Sequence, residues 1–344
     1  MKKLLCSLLF CFAIAVTSQA QSSTDVVDII EEGIRLYEKG NYEAAIAQYK
    51  EALKLDAKNP EANYELALTY FALKDMPNAI AYSNAVIKHR VAEPELRAQA
   101  HVNKGSALDV SGKQDKAIKE YNRAIKLAPR HHLAYYNLGL THYNQKNYKE
   151  AEQSLTRALR LNQGHGSSHL LLAYIKQAQK QRVQSLLALY NFLLLEPTSE
   201  RAPAAYELLQ QMQQEGVSTG NGNAINITVS ADKLDDNPFS AAELMVSMSQ
   251  ASNSIEAREG KTPGELFYEN TASFFKVLGE LREEKDDFWW SYYVEFFHEM
   301  ALDKNVEAFS YYISQSKSTA SLSWLQEHPE KVEQLTSWYR NYKR

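Results

Sequence analysis

Cysteine is almost missing from this 344-residue chain: Cys6 and Cys11 are the two, and both fall among the first twelve residues. Beyond them no disulfide framework, cysteine zinc site or thiol redox centre can be assembled. An excess of base is missing too. With 38 Lys and Arg against 42 Asp and Glu the formal charge is −4, so the chain lacks the electropositive footprint that nucleic-acid binding draws on. After the first twenty residues no run of about 18 apolar residues occurs, which removes the signature of an integral membrane span. Gly-rich phosphate loops, a G-x-S-x-G elbow and a dinucleotide fingerprint are not found either. Charged residues at 23% and hydrophobic ones at 44% are ordinary for a folded protein, and the length predicts two domains or one repeat array with an appendage.

What is present begins with a leader. Met1-Lys2-Lys3 is basic, Leu4 to Val16 is nearly all apolar, and Ser18-Gln19-Ala20 places small residues at the −3 and −1 positions of a cleavage site. The pattern predicts a signal peptide over 1–20, cleaved after Ala20, and so an exported protein, periplasmic or secreted. Both cysteines leave with it. Bulky Phe10 before Cys11 does not suit lipid attachment.

From residue 26 the sequence repeats. Gly33, Gly40, Tyr42, Ala45, Ile46, Tyr49, Ala52 and Leu53 set a template whose offsets recur as Ala67, Met76, Ala79, Ile80, Val86 and Ile87. They recur again as Gly105, Gly112, Ala117, Ile118, Tyr121, Ala124 and Ile125, and as Gly139, Tyr148, Ala151, Leu155, Ala158 and Leu159. Units run near 26–59, 60–97, 98–131, 132–165 and 166–197, the fifth being degenerate at Lys176, Arg182 and Ser185. Each holds two stretches of helical periodicity joined by a polar turn, such as Lys39-Gly40-Asn41. A hairpin of this kind cannot bury its apolar face alone, so neighbours stack into an all-α solenoid. Residues 198–215 read as a capping helix and the Gly-rich segment 216–225 as a linker.

On these residues, Gly-Asn-Tyr-Glu-Ala-Ala-Ile at 40–46 and Leu138-Gly139 above all, about half the chain resembles the tetratricopeptide repeat (TPR) family. The resemblance implies a concave groove lined by the first helix of each unit. Its offsets select Val27, Ile30, Ile34 and Tyr37 in the first unit and Tyr64, Leu68 and Phe71 in the second. They select Val102, Ser106 and Asp109 in the third, Leu133, Tyr136, Leu140 and Tyr143 in the fourth, and Leu170 and Tyr174 in the fifth. The family's carboxylate clamp would need Lys, Asn or Arg at Ile30, Ile34, Glu65, Val102 and Ser106, and has none there. An apolar groove suits an amphipathic or extended partner segment, or the protein's own C-terminal domain.

The remainder, 226–344, opens on a strand-like run at 225–229 and then predicts helices over 240–256, 263–284, 287–302, 304–316, 319–327 and 329–342. Ser240–Glu243 and Thr262–Glu265 both have capping-box spacing. All four tryptophans lie here (Trp289, Trp290, Trp324, Trp338), and twelve basic face twenty acidic residues. Aromatic pairs at helical spacing predict a core. The region is similar to C-terminal regions of exported TPR proteins of Bacteroidetes, a likeness that assigns no activity.

Metal and catalytic motifs are thin. His298-Glu299 has Leu302 where a second zinc-binding histidine would stand, His165 and His169 have the spacing of a metal pair without an anchoring carboxylate, and His131-His132 lies one unit earlier. Glu283-Glu284 and Asp286-Asp287 read as solvated helix ends. The sequence therefore predicts a scaffold of the bacterial envelope that is not an enzyme, uses no cofactor or metal, and binds another protein. The competing expectation is an enzymatic or glycan-binding C-terminal domain that the solenoid recruits.

Overall fold

A computed structural model describes residues 25–219, 225–227, 238–253, 260–281 and 287–343. The leader at 1–20, residues 220–224 of the expected linker and the acidic Glu283, Glu284 and Asp286 lie outside these. Two compact units divide the chain between Leu161 and Asn162.

In the first unit four helical hairpins follow one another: α1 (25–38) with α2 (Tyr42–Leu55), α3 (Pro60–Ala72) with α4 (Met76–Lys88), α5 (Pro94–Val110) with α6 (Gln114–Leu127), and α7 (His132–Asn144) with α8 (Tyr148–Leu161). Each helix packs on the next, and first helices also pack on first helices, α3 on α5 and α5 on α7. The four extra residues near Val91–Pro94 lengthen α5 to 17 residues where α3 and α7 have 13. Pro77 sits in the first turn of α4, where its missing N–H costs nothing.

The turns share one geometry. Position φ is 77° at Gly40, 61° at Lys74, 74° at Gly112 and 61° at Lys146. The following amide reaches back five residues, as in Asn41 N to Leu36 O at 2.9 Å and Asp75 N to Tyr70 O at 2.8 Å. This left-handed step satisfies carbonyls that the helix end would leave bare. Packing within a hairpin is a matter of matched sizes sixteen residues apart. A Cβ on Gly105 would lie 2.6 Å from Tyr121 Cε1, and one on Gly33 would overlap the Tyr49 ring. Where the small residue is Ala67, its partner in the pattern is Ser83, and both are fully buried. The glycines thus admit an aromatic ring rather than a bare helix backbone.

The second unit begins with the fifth hairpin, α9 (Gly166–Ala178) and α10 (Arg182–Leu195), and α11 (Ala202–Gln214). β1 (Val217–Thr219) and β2 (Ile225–Ile227) form a two-stranded antiparallel ribbon with Val217 opposite Ile227. Then come α12 (Ser240–Ser252), α13 (Pro263–Glu280), a π-helix (Trp289–Val294) running into α14 (Glu295–Leu302), α15 (Val306–Ser314), α16 (Thr319–Glu327) and α17 (Pro329–Asn341). Sequence spacing put the division at 216–225; compactness puts it about 55 residues earlier, for a physical reason. Every residue of α10 from Arg182 to Leu194 is buried, enclosed by α9, α11, α12, α15 and the π-helix. Helices beyond 225 therefore share one core with the fifth hairpin. Tyr190 is its hub: its ring meets Phe275, Phe297 and Phe309 at 5.1, 5.9 and 5.9 Å, and its hydroxyl accepts from Gln213 at 2.8 Å.

Two local expectations need correction. The segment expected as plain helix over 287–302 winds as a π-helix through Trp289–Val294. Only one of the two capping boxes forms: Thr262 and Glu265 bond reciprocally at the start of α13. Ser240 instead opens α12 as a helical residue, because the Glu243 carboxylate is drawn to Arg182.

Candidate functional site

Half-buried apolar side chains stand in a row on α1, α3, α5 and α7. Of the residues the repeat offsets select, Ile34, Tyr37, Tyr64, Leu68, Phe71, Val102, Tyr136, Leu140 and Tyr143 are all of this kind, while Val27 and Leu133 are exposed. Ile30 is a core residue, 4% exposed and packed with Val26, Tyr49 and Leu66. Leu170 and Tyr174 belong to the second unit, where Leu170 is buried and Tyr174 half-buried.

Asp109 apart, the same helical stripe carries acidic groups that the offsets did not select. Positions two, five, six, nine, twelve and thirteen of a unit fall within an arc of about 120° on a helix, at 3.6 residues per turn. On the four first helices those positions hold five carboxylates, Glu31, Glu38, Glu61, Glu65 and Asp109, and no Lys, Arg or His. Asp109 is engaged, accepting from Thr141 Oγ1 at 2.9 Å. Glu65 is different. It is half-buried, and among the described residues its carboxylate has no hydrogen bond or ion pair.

Its surroundings respond accordingly. Burial, with the nearby Glu61 adding to it, pushes the Glu65 carboxyl up to about 7. Burial pushes the Tyr64 phenol up to about 12, with the charges of Glu65 and Tyr37 adding to the effect. Tyr37 is raised by burial, then by Tyr42 and Glu65. Tyr37 on α1 and Tyr64 on α3 thus both feel the Glu65 carboxyl as a secondary influence after burial. Glu120, buried between α5 and α6, is the contrast. Its oxygens receive His101 at 2.7 Å, Lys104 at 3.0 Å and Arg123 at 2.6 Å. Burial raises it, but the hydrogen bonds from His101 and Lys104 outweigh that and hold it below the usual range. The carboxylate with donors is a structural tie; the carboxylate without them shares its helical stripe with the row of aromatics.

In the second unit the departures of the fifth repeat acquire partners. Arg182 donates through Nε to Glu243 Oε2 at 2.8 Å, through Nη1 to the Glu215 carbonyl at 2.6 Å and through Nη2 to Ser247 Oγ at 2.9 Å and the Glu243 carbonyl. Lys176 lies 5.0 Å over the Trp289 ring, and Ser185 Oγ bonds to the Ala173 carbonyl at 2.8 Å. His169 is no metal ligand here. Its Nδ1 meets Tyr293 Oη at 2.7 Å and its Nε2 the Gln163 carbonyl at 3.0 Å, while His165 pairs with Ser168 at 2.8 Å. His298 lies over Gly279, where a Cβ would overlap its ring. Among the described residues no three His, Cys, Asp or Glu converge as a metal site, and no helix is long and apolar enough to cross a membrane.

The tryptophans are spent on packing. Trp289 and Trp290 are 5% and 2% exposed, Trp324 is stacked between Tyr311 at 4.2 Å and His328 at 4.3 Å, and Trp338 lies against Phe296 and Tyr342. A cleft of about 430 Å³ with mixed polar and apolar lining runs beside Lys180, Gln211 and Glu215, where the one lining guanidinium, Arg182, is already engaged.

Comparison with known proteins agrees with the repeats. The family described as TPR repeat matches residues 33–74 and the one described as tetratricopeptide repeat matches 102–165. A TPR repeat-containing protein of Methanocaldococcus jannaschii is 25% identical over 170 residues, 48% of this chain and 30% of that protein. Intraflagellar transport protein 70A of Bos taurus is 27% identical over 126 residues, 36% of this chain and 17% of that protein. The match thus spans less than a third of either relative. Among solved structures, MamA is 24% identical over 48% of this chain and 94% of that chain, with a TM-score of 0.41. The Pseudomonas aeruginosa pilF structure is 18% identical over 81% and 99%, with a TM-score of 0.45.

Proposed function

The chain carries tetratricopeptide repeats, and from that premise we propose that it is a non-enzymatic scaffold whose first-helix face holds a segment of another protein. The observation that carries this is the row of half-buried Ile34, Tyr37, Tyr64, Leu68, Phe71, Val102, Tyr136, Leu140 and Tyr143 on four neighbouring helices. Apolar surface left partly in water along one continuous stripe is surface that an amphipathic or extended segment buries. The reading at 1–20 and the lack of cysteine after residue 11 support export, so the scaffold acts in the periplasm or outside the cell, as an adaptor of the bacterial envelope.

The test is a photoreactive side chain at Leu140 in the full-length protein, expressed in its own cells, beside the same protein with Tyr64, Phe71, Tyr136 and Tyr143 changed together to Ser. Capture of one partner by the first and its loss from the second, with helicity unchanged, is the expected result. A partner held equally by both removes the reading. Sequencing of the purified mature protein is expected to begin at Gln21.

A further inference from the structure

We infer that the partner segment carries a basic side chain, Lys or Arg, which seats against Glu65 on the first-helix stripe. The inference rests on the scaffold reading above and names the chemistry of its partner. Charge on the first unit is sorted by face. Residues 21–161 hold 20 basic and 18 acidic side chains, yet the stripe on α1, α3, α5 and α7 holds five carboxylates and no base. A stripe of one sign on a nearly neutral scaffold selects partners of the other sign and repels its own.

Within that stripe Glu65 is the group that lacks something. Glu120 is buried with three donors and Asp109 has Thr141, but the Glu65 carboxylate has neither a donor nor a cation among the described residues. Taking a carboxylate part-way out of water without a donor is unfavourable, and a partner's ammonium or guanidinium removes that penalty on binding. Tyr37 and Tyr64, half-buried on the same stripe, suit the same ligand, because a cation is attracted to a tyrosine face and the phenol oxygens accept hydrogen bonds from it. The lifted pKa of Glu65 is consistent with a missing positive neighbour, and a bound cation returns it towards the ordinary carboxylate range. Leu68 and Phe71, one and two turns along α3, place apolar contacts beside the charge. The preferred segment is therefore Lys or Arg flanked by apolar residues, the opposite polarity to a peptide gripped by its terminal carboxylate.

A displayed library of random dodecapeptides, panned against the immobilised full-length protein, tests this. The best binder is then synthesised with its basic residue intact, or with Arg replaced by citrulline or Lys by norleucine. Enrichment of Lys or Arg beside apolar residues is expected. Glu65→Gln should weaken the basic peptide by about tenfold or more and leave the neutral one unchanged, as for loss of a charge-assisted hydrogen bond. Binders without a base, or a basic peptide held equally by Glu65→Gln, overturn the inference. If such neutral binders are still lost on the fourfold Ser substitution, the apolar face stands and the basic partner alone falls. Failure to recover any binder, or binders indifferent to that substitution, removes both. Self-association lost on the fourfold substitution would assign the face to a second copy and overturn the basic-segment inference.

Discussion

Removing the Arg182 side chain should unfold the second unit first, and the effect can be worked from its contacts. Arg182 and Glu243 form an ion pair at 2.8 Å with side chains 5% and 1% exposed, and Glu243 Oε1 also accepts from Val183 N at 3.2 Å. In Arg182→Ala the Glu243 carboxylate keeps one backbone donor and loses its cation inside the core. Breaking a buried pair from one side costs about 3–5 kcal/mol. For a unit of this size each kcal/mol moves the midpoint by roughly 2–4 °C, so a fall of about 10 °C is expected. All four tryptophans lie beyond residue 288, so tryptophan fluorescence reports this unit and ignores the first. The double variant Arg182→Met with Glu243→Met replaces the pair by apolar groups and should recover most of the loss, since such swaps are often neutral. A single variant that loses less than about 1 kcal/mol would refute the argument, as would a double variant no better than the single one.

Other expectations follow from the same contacts. Gly105→Ala should cost about 1–3 kcal/mol in a helicity-detected melt through overlap with Tyr121, and Tyr121→Ser should relieve that overlap by copying the Ala67 and Ser83 pairing. The folded pKa of Glu65, about 7, lies above its unfolded value, so the folded state binds the proton more tightly and stability falls as pH rises from about 4.5 through 7. Glu65→Gln should therefore be more stable than the parent above pH 8 and lose that advantage near pH 5, in paired thermal melts. Thr262→Ala removes the hydroxyl that caps α13 and should lower the fluorescence-detected midpoint by an amount near 1 kcal/mol.

Local features were legible before any coordinates. Gly33, Gly105 and Gly139 marked the hairpins because a ring or branched side chain must fit sixteen residues on. Helix starts at Ser240, Pro263, Thr319 and Pro329 match expected starts of 240, 263, 319 and 329, and at the last three a capping residue or proline acts within one turn. What was not legible depends on distance along the chain. Lys176, Arg182 and Ser185 looked like decay of the repeat, yet the first two answer Trp289 and Glu243, 113 and 61 residues away. Charge in place of the usual aromatic at a core position was the one available signal, and it pointed to a polar partner without naming it. Glu65 was seen only as the wrong residue for a carboxylate clamp. Its own chemistry emerges once the fold half-buries it without, among the described residues, bringing a donor to it.

The enclosure of α10 bears on how proteins built this way change length over evolutionary time. An open-ended stack gains or loses a hairpin cheaply, because the newcomer finds the same vacant flank that its predecessor used. With α10 walled in on every side, that flank no longer exists at the downstream end. Duplication or deletion of a hairpin is thereby confined to the stretch before residue 162, and everything after it is inherited as a single indivisible block.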